Sequence, residues 1–156
     1  MIDMASPTTV RDARLRSATT DDLVSVERLL TASGLPLDGV ADALRSFTVA
    51  ESGNDIVGVA GLEVCRDNAL LRSVAVAPEW RSHGLGRALV ARVIADAEAR
   101  GLNALYLLTT TAEHYFPSFG FERVARDIVP PDIRETKEFT SACPATAVMM
   151  CRQCGA

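Results

Sequence analysis

VAVAPEWRSHGLGRALV, residues 74–90, decides how this chain is read. An alternating apolar run ends at Pro78, an arginine follows, and Gly84 and Gly86 stand two apart before an apolar helical pattern. A helix start carries N–H groups without internal partners and a partial positive charge, which suits an anion. Glycine lets the backbone approach that anion closely and adopt φ > 0. The stretch therefore predicts a phosphate cradle whose binding groups lie in the main chain. Two other glycine loops do not fit. A nucleoside-triphosphate loop needs Lys and then Ser or Thr after its second glycine, and here Arg87, Ala88 and Leu89 follow Gly86. A dinucleotide loop needs a third small residue where Leu89 stands, and an acid about twenty positions on, near Ala104.

Outward from the loop, Leu85, Leu89, Val93 and Ala97 recur at helical spacing until Gly101. NALYLLTT is a strand expected to be buried on both faces. AEHYFPSF reads as a short helical piece, FERVARDI as a strand, PDIRETKEF as a helix and ATAVMMC as a last strand. Before the loop, RDARLRSA (11–18) is a first strand. TTDDLVSVERLL is a helix capped by Thr19 or Thr20, with Leu23, Val26 and Leu30 on one face, and Gly34 and Pro36 stop it. LDGVADALRSF makes a second short helix. SGND and RDN then turn the chain between the strands FTVAES, IVGVAGLEVC and ALLRSVAVAP. Antiparallel hairpins followed by a strand–helix–strand unit point to an α/β or α+β sandwich around one sheet.

The 156 residues suit a single domain, expected over 11–152, with 1–10 a flexible N-terminus. Hydrophobic residues make up 48% and charged residues 23%, a globular composition. A net charge of −4 argues against general nucleic-acid binding. No apolar run is long enough to span a membrane, and the opening MIDMASPTTVRDARLR lacks the pattern of a secretory signal, so the expected location is cytoplasmic. Cys65, Cys143, Cys151 and Cys154 read as reduced thiols. The CRQC pair lacks a second ligand pair, so no metal is expected.

The loop resembles the acyl-CoA motif of the GNAT superfamily of acetyltransferases, on Val74, Val76, Pro78, Arg81, Gly84 and Gly86. LYLLTTTAEHYFPSFGFE is similar to that family's next segment, closing on Phe119, Gly120 and Phe121. The resemblance implies a central mixed sheet of six or seven strands with helices on both faces. Strands 69–77 and 103–110 would be parallel neighbours that splay apart. It implies acetyl-CoA as cosubstrate, with amides from Ser82, His83, Gly84, Leu85, Gly86 and Arg87 ringing its diphosphate and Arg81 and Arg87 adding charge. The pantetheine arm would pair with the backbone of Val74, Ala75 and Val76, as an added strand would, and Thr109 takes the place of an asparagine common in the family.

Aminolysis of a thioester needs a neutral amine, an oxyanion donor and a proton for the departing thiolate. The family's usual tyrosine position holds Phe116, and Tyr115 stands one residue earlier, about 100° away on a helix. Tyr115 is the candidate general acid, and the enzyme is otherwise expected to work by positioning. Glu51, Glu63, Glu113 and His114 are candidate bases. Alternation in ALLRSVAVAP places Arg72 on one face with Leu70 and Val74. Its partner is either a carboxylate such as Glu63 or an anionic substrate. Thr110 and Arg134 are further substrate-binding candidates.

VAGLEV, ALLRSVAVAP, YLLTTTAEHYF and PDIRETKEFTSACPATAV together resemble the arsenic-resistance N-acetyltransferase subfamily. That resemblance implies acetylation of a small, anionic, amino-acid-like amine, with Arg72, Thr109, Thr110 and Arg134 gripping a carboxylate or arsenic oxyanion. Cys143 or the CRQC pair is an alternative seat for trivalent arsenic. The expected partner is a small-molecule amine, with no nucleic acid and no membrane, and the expected assembly is a homodimer. Two alternatives stand beside this reading: a catalytically silent acyl-CoA-binding sensor, and a protein N-acetyltransferase, against which segment 130–143 reads as a lid.

Overall fold

A computed structural model describes residues 9–10, 12–110, 112–136, 139 and 146–154. Eight strands form one sheet in the order β1-β2-β3-β4-β5-β6-β8-β7. They are β1 (Thr9–Val10), β2 (Ala13–Ser17), β3 (Phe47–Ser52), β4 (Asp55–Cys65), β5 (Asn68–Val76), β6 (Ala104–Thr109), β7 (Glu122–Arg123) and β8 (Val148–Gln153). The count exceeds the expected six or seven because two-residue strands, β1 and β7, extend the two edges. Every neighbouring pair is antiparallel except β5 and β6. Gly53–Asn54 and Arg66–Asp67 turn the β3–β4 and β4–β5 hairpins as the sequence predicts.

Helices cover both faces. On one, α3 (Leu85–Ala99) buries Leu85, Leu89, Val90, Val93, Ile94 and Ala97 against Leu62, Leu71, Leu105 and Leu107. Burial of each such side chain is worth roughly 1.5–3 kcal/mol, so this stripe fixes the helix to the sheet. On the other face, α1 (Leu23–Ala32) and α2 (Val40–Ala43) pack Val26, Leu30 and Val40 on Phe47, Val49, Val59 and Ala75. A smaller cluster joins Leu70 and Met149 to Val129 and to Ile133 of α4 (Pro131–Arg134).

Several elements are shorter than expected. The first strand keeps 13–17 of 11–18, and the second helix is a single turn at 40–43 followed by a tighter turn through Ser46. In FERVARDI the strand covers Glu122 and Arg123, Val124 adds one backbone bond to the Met149 carbonyl at 2.9 Å, and Arg126–Ile128 coils into a 3-10 turn instead. In PDIRETKEF the helix ends at Arg134; Lys137 and Glu138 lie outside the described residues. β6 is not wholly buried, since Tyr106, Leu108 and Thr109 are half-covered.

At the entry to α1, the Asp22 carboxylate accepts the Thr19 N–H at 2.8 Å and both terminal nitrogens of Arg16, at 2.8 and 2.9 Å. The Arg16 Nε reaches Glu51 at 3.1 Å, so one guanidinium ties β2, β3 and the helix start together. That hydrogen bonding holds Asp22 down at about 2, against the desolvation that would raise it.

Candidate functional site: an amide cradle beside a splayed strand pair

α3 begins at Gly84, whose φ of +82° is left-handed and whose missing Cβ would have met nothing within 4 Å. Ser82 is also left-handed, at φ +67°. Two such residues so close together turn successive amides outward. Among the described residues, the N–H groups of Ser82 through Arg87 donate to no backbone or side-chain acceptor. Six consecutive free amides at a helix start form a concentrated anion site. Ser82, His83 and Gly84 are exposed, while Leu85 is buried and anchors the turn. Arg81 lies at the rim, its Nε donating to the Val76 carbonyl at 3.1 Å.

Arg87 is placed differently from a phosphate clamp. Its guanidinium lies 4.5 Å from the Phe119 ring centre and 5.7 Å from that of Tyr115, and it donates to Ser118 Oγ at 3.3 Å. Ser118 in turn donates to the Tyr115 carbonyl at 2.9 Å. The first turn of α3 is thus bound to the aromatic segment Tyr115–Phe119. The Tyr115 hydroxyl points at the cradle, 3.7 Å from where a Cβ on Gly86 would sit, and Val76 is equally near. Burial raises the Tyr115 phenol above its ordinary range, with the Arg87 charge opposing.

The splay is present. β5 and β6 pair only over Asn68–Leu70 with Ala104–Tyr106, and from Leu71 onward β5 pairs with β4 alone. A bulge accompanies the opening: Gly61 faces Arg72 and Val59 faces Ala75, so Ser73 and Val74 answer a single residue of β4. Ser73 carries the strain of this bulge at φ +59°. The bulge also corrects the expected alternation. Arg72 shares its face with Leu70, but Val74 has rotated to the α3 side, where it packs with Val76, and Ala75 lies on the α1 side. Nothing in a run of non-glycine residues announces a bulge, so strict alternation was the natural reading.

Arg72 is 2% exposed. Its Nη1 donates to Glu63 Oε1 at 2.9 Å and its Nε to Ser73 Oγ at 3.0 Å. The protein carboxylate is therefore a partner, as one of the two sequence alternatives held. Gly39, in the loop between α1 and α2, closes over the pair: its Cβ would stand 3.2 Å from Nη1 and 3.9 Å from Glu63 Oε1. Sequence reading passed over Gly39, whose φ of +79° and tight packing both exclude a side chain.

The remaining candidates disperse. Glu51 is committed to Arg16 across β2 and β3, Glu113 pairs with exposed Arg123 at 3.4 Å, and His114 is exposed. Thr109 Oγ1 accepts the Ala112 N–H at 2.9 Å and closes the turn after β6, where Thr110 is exposed. Arg134 is exposed and donates to the Asp127 carbonyl at 2.6 Å. Thr111, Cys143 and most of the 137–143 part of the expected lid lie outside the described residues. Cys65, Cys151 and Cys154 are free thiols, each raised by burial, Cys65 to about 12. No group of three potential metal ligands, and no helix long and apolar enough to cross a membrane, occurs among the described residues. A polar groove of about 420 Å³ between α1 and the β3–β4 turn is lined by Arg28, Asp55, Glu79 and Trp80 but by none of the predicted site residues.

This geometry agrees with the comparisons. Residues 43–123, just over half the chain, match the acetyltransferase (GNAT) domain family. The amino-acid acetyltransferase of Escherichia coli is 29% identical over 126 residues, covering 75% of this chain and 28% of its own length. That of Ralstonia nicotianae is 32% identical over 132 residues, covering 78% and 29%. The chain thus spans under a third of the curated relatives it matches. In fold it is similar to N-acetylglutamate synthase from Neisseria gonorrhoeae, complexed with coenzyme A and N-acetyl-glutamate, at a TM-score of 0.79 and 21% identity over 95% of this chain and 36% of that one. Rv2747 from Mycobacterium tuberculosis, in complex with coenzyme A, gives 0.72 and 24% over 89% and 98%. With a family match over the hairpins, the cradle and the splay, the chain belongs to the GNAT acetyltransferase domain family.

Proposed function

We propose that the protein transfers the acetyl group of acetyl-CoA to the amino group of a small, amino-acid-like compound. The observation that carries this reading is the row of six free amides, Ser82 through Arg87, at the mouth of a splayed strand pair. A diphosphate fits the cradle in charge and in the open space at Gly84. Arg81 adds a cation at the rim, and the unpaired edge of β5 at Val74, Ala75 and Val76 suits an extended arm. The thioester supplies an activated acyl carbon, and the protein contributes position and hydrogen-bond donors.

The amino-acid part of the reading is supported by the names of the relatives and by the ion pair under the α1–α2 loop. Arg72 holds Glu63 through Nη1 and Ser73 through Nε, contacts that do not engage Nη2, and Arg134 donates to the Asp127 carbonyl. The arsenic-resistance resemblance rests on the sequence motifs alone; the relatives named above are amino-acid acetyltransferases.

The test is a thiol-release assay with acetyl-CoA and a panel of free amino acids, beside calorimetry with coenzyme A. Binding together with thiol release is the expected result. Binding without release on any acceptor marks an acyl-CoA sensor, and peptides reacting faster than free amino acids mark a protein acetyltransferase.

A further inference from the structure

Resting on that reading, we propose that Arg152, in the last strand, is a positioning residue for the coenzyme: it holds Phe119 by its carbonyl and so sets the aromatic wall beside the first turn of α3. Its hydrogen bonds run to Phe119, Glu98 and Gln153, none of them in the cradle. Three observations carry this. First, Arg152 grips the end of the aromatic turn. Side chains alternate along β8, so Arg152 shares the α3 face with Met150. Its Nε donates to the Phe119 carbonyl at 2.7 Å, and its Nη1 donates to Glu98 Oε2 at 2.9 Å. Phe119 ends the 3-10 turn Phe116–Phe119, where carbonyls run out of partners within the turn. Gly120 follows at φ +90°, and a Cβ there would stand 3.4 Å from Nε and 3.8 Å from Cδ and Cγ of Arg152. The arginine arm thus lies along bare backbone.

Second, the residue it holds is the one that Arg87 uses. The Phe119 ring takes the Arg87 guanidinium at 4.5 Å, and its centre lies 5.4 Å from that of Tyr115. One phenylalanine therefore meets a guanidinium at its ring and another at its carbonyl.

Third, the hold spans the helix. Arg87 is in the first turn of α3 and Glu98 in the last, roughly 16 Å apart along the axis. Through Phe119 and Arg152 the aromatic turn is tied to both ends of α3. A segment tied at one point pivots about it, and one tied at two keeps a single angle. That angle places the Tyr115 hydroxyl, 3.7 Å from where a Cβ on Gly86 would sit. Arg152 does no chemistry. Its loss falls on coenzyme binding and not on acyl transfer.

The test measures coenzyme A affinity by calorimetry, KM and kcat with acetyl-CoA, and the melting midpoint. The variants are Arg152→Met, Arg152→Lys, Glu98→Gln, Arg87→Ala and the double variant R87A/R152M. Arg152→Met is expected to weaken coenzyme A about tenfold and raise KM in step, with kcat within about threefold. Lysine supplies the charge without the planar fork, so Arg152→Lys is expected to lose only about threefold in affinity. Glu98→Gln removes the ion pair and leaves the Phe119 bond, so it is expected to lower the melting midpoint with affinity within about twofold. Because Arg87 and Arg152 act through one residue, R87A/R152M is expected to bind within about twofold of Arg87→Ala, a non-additivity that a general loss of stability does not produce. If Arg152→Met binds as wild type does, if Glu98→Gln weakens coenzyme A equally, or if the two losses multiply, Arg152 only braces the fold and the proposal fails. Should Arg152→Met not fold, Arg152→Lys decides: its threefold loss supports the proposal and wild-type affinity overturns it. A wild type that binds no coenzyme A overturns the proposed function and this role with it. A wild type that binds, beside unchanged Arg152 variants, overturns this role alone.

Discussion

The two halves of the site are built by opposite means. The cradle at Ser82–Arg87 is main chain, exposed, and rich in hydrogen-bond donors that the protein leaves unused. The Glu63–Arg72 pair is side chain, mostly buried, and joined by a 2.9 Å contact. A cradle of amides tolerates many side chains but few changes of backbone. A buried ion pair tolerates many backbones but few changes of side chain. Under the proposed function, the first half recognises a charge common to every acyl-CoA, and the second sits where acceptors differ. Substitutions in the two halves should therefore separate coenzyme binding from acceptor turnover.

The largest effect is expected at the cradle. Gly84→Asp together with Gly86→Asp sets two carboxylates against an incoming diphosphate, and at Gly84 also asks a side chain to hold φ +82°. Coenzyme A affinity by calorimetry should fall more than about 100-fold, several amide–anion contacts of roughly 0.3–1 kcal/mol each being lost together. Circular dichroism should show the fold retained, because nothing lies within 4 Å of a Cβ at Gly84 and only ordinary contacts meet one at Gly86. Unchanged affinity would mean that the amides bind nothing, and the contrast between the halves would collapse.

The pair itself predicts an asymmetry in stability. Glu63→Leu leaves a guanidinium whose side chain is fully covered and is expected to cost about 3–5 kcal/mol in urea unfolding. Arg72→Met leaves a carboxylate that is 20% exposed and can turn toward water, so the cost should be nearer 1–2 kcal/mol. Equal costs would show that the carboxylate is as enclosed as the guanidinium, and the asymmetry of the pair would not hold.

The same contrast explains what could be read in advance. The cradle was legible because its signal is local: a strand, a proline, two glycines and a helical stripe within seventeen residues. The splay was expected only through the family resemblance, since the residues of 69–77 and 103–110 announce strands but not their separation. The acceptor half was harder. Its ion pair joins strands across a turn, its lid glycine lies some twenty-four residues before Glu63 by position, Gly39 to Glu63, and its register depends on a bulge at a serine. Short elements failed for a different reason. Val124 and Ile128 supply the apolar residues of a strand, yet backbone pairing with β8 ends with the Val124 N–H on the Met149 carbonyl, and the chain is drawn instead toward the Val129–Ile133 cluster. Tertiary packing overrode propensity there.

A charge cluster away from both halves sharpens the comparison. Arg16, Asp22 and Glu51 join β2, β3 and the start of α1 through two ion pairs. With Asp22 at about 2 in the folded chain and about 3.9 when unfolded, the unfolded state binds its proton first as pH falls. The contribution is therefore complete above about pH 4 and lost progressively toward pH 2, amounting to about 1–2 kcal/mol after solvent screening. Asp22→Asn should be less stable than wild type at pH 7, and the difference should vanish near pH 2 in urea titrations. A difference that persists in acid would assign the effect to the shape of the helix start, not to its charge.

Tyr115 belongs to neither half by construction and should have the smallest effect. Its hydroxyl stands beside Gly86 and Val76, at the coenzyme end of the site, and its ring is held by Phe116, Phe119 and the Arg87 guanidinium. Burial raises the phenol, which keeps it protonated and suited to donate, but a departing thiolate is a fair leaving group without help. Tyr115→Phe keeps the ring contacts and removes only the donor. It should retain at least about a tenth of wild-type kcat, a smaller loss than the roughly 10²–10⁴-fold that a general acid contributes. Arg87→Ala should do more, because it frees the whole Tyr115–Phe119 segment from α3, and its effect should fall on KM for acetyl-CoA before kcat. A thousandfold loss of kcat in Tyr115→Phe would move the proton donor to the coenzyme side of the site and make the two halves chemically equal partners.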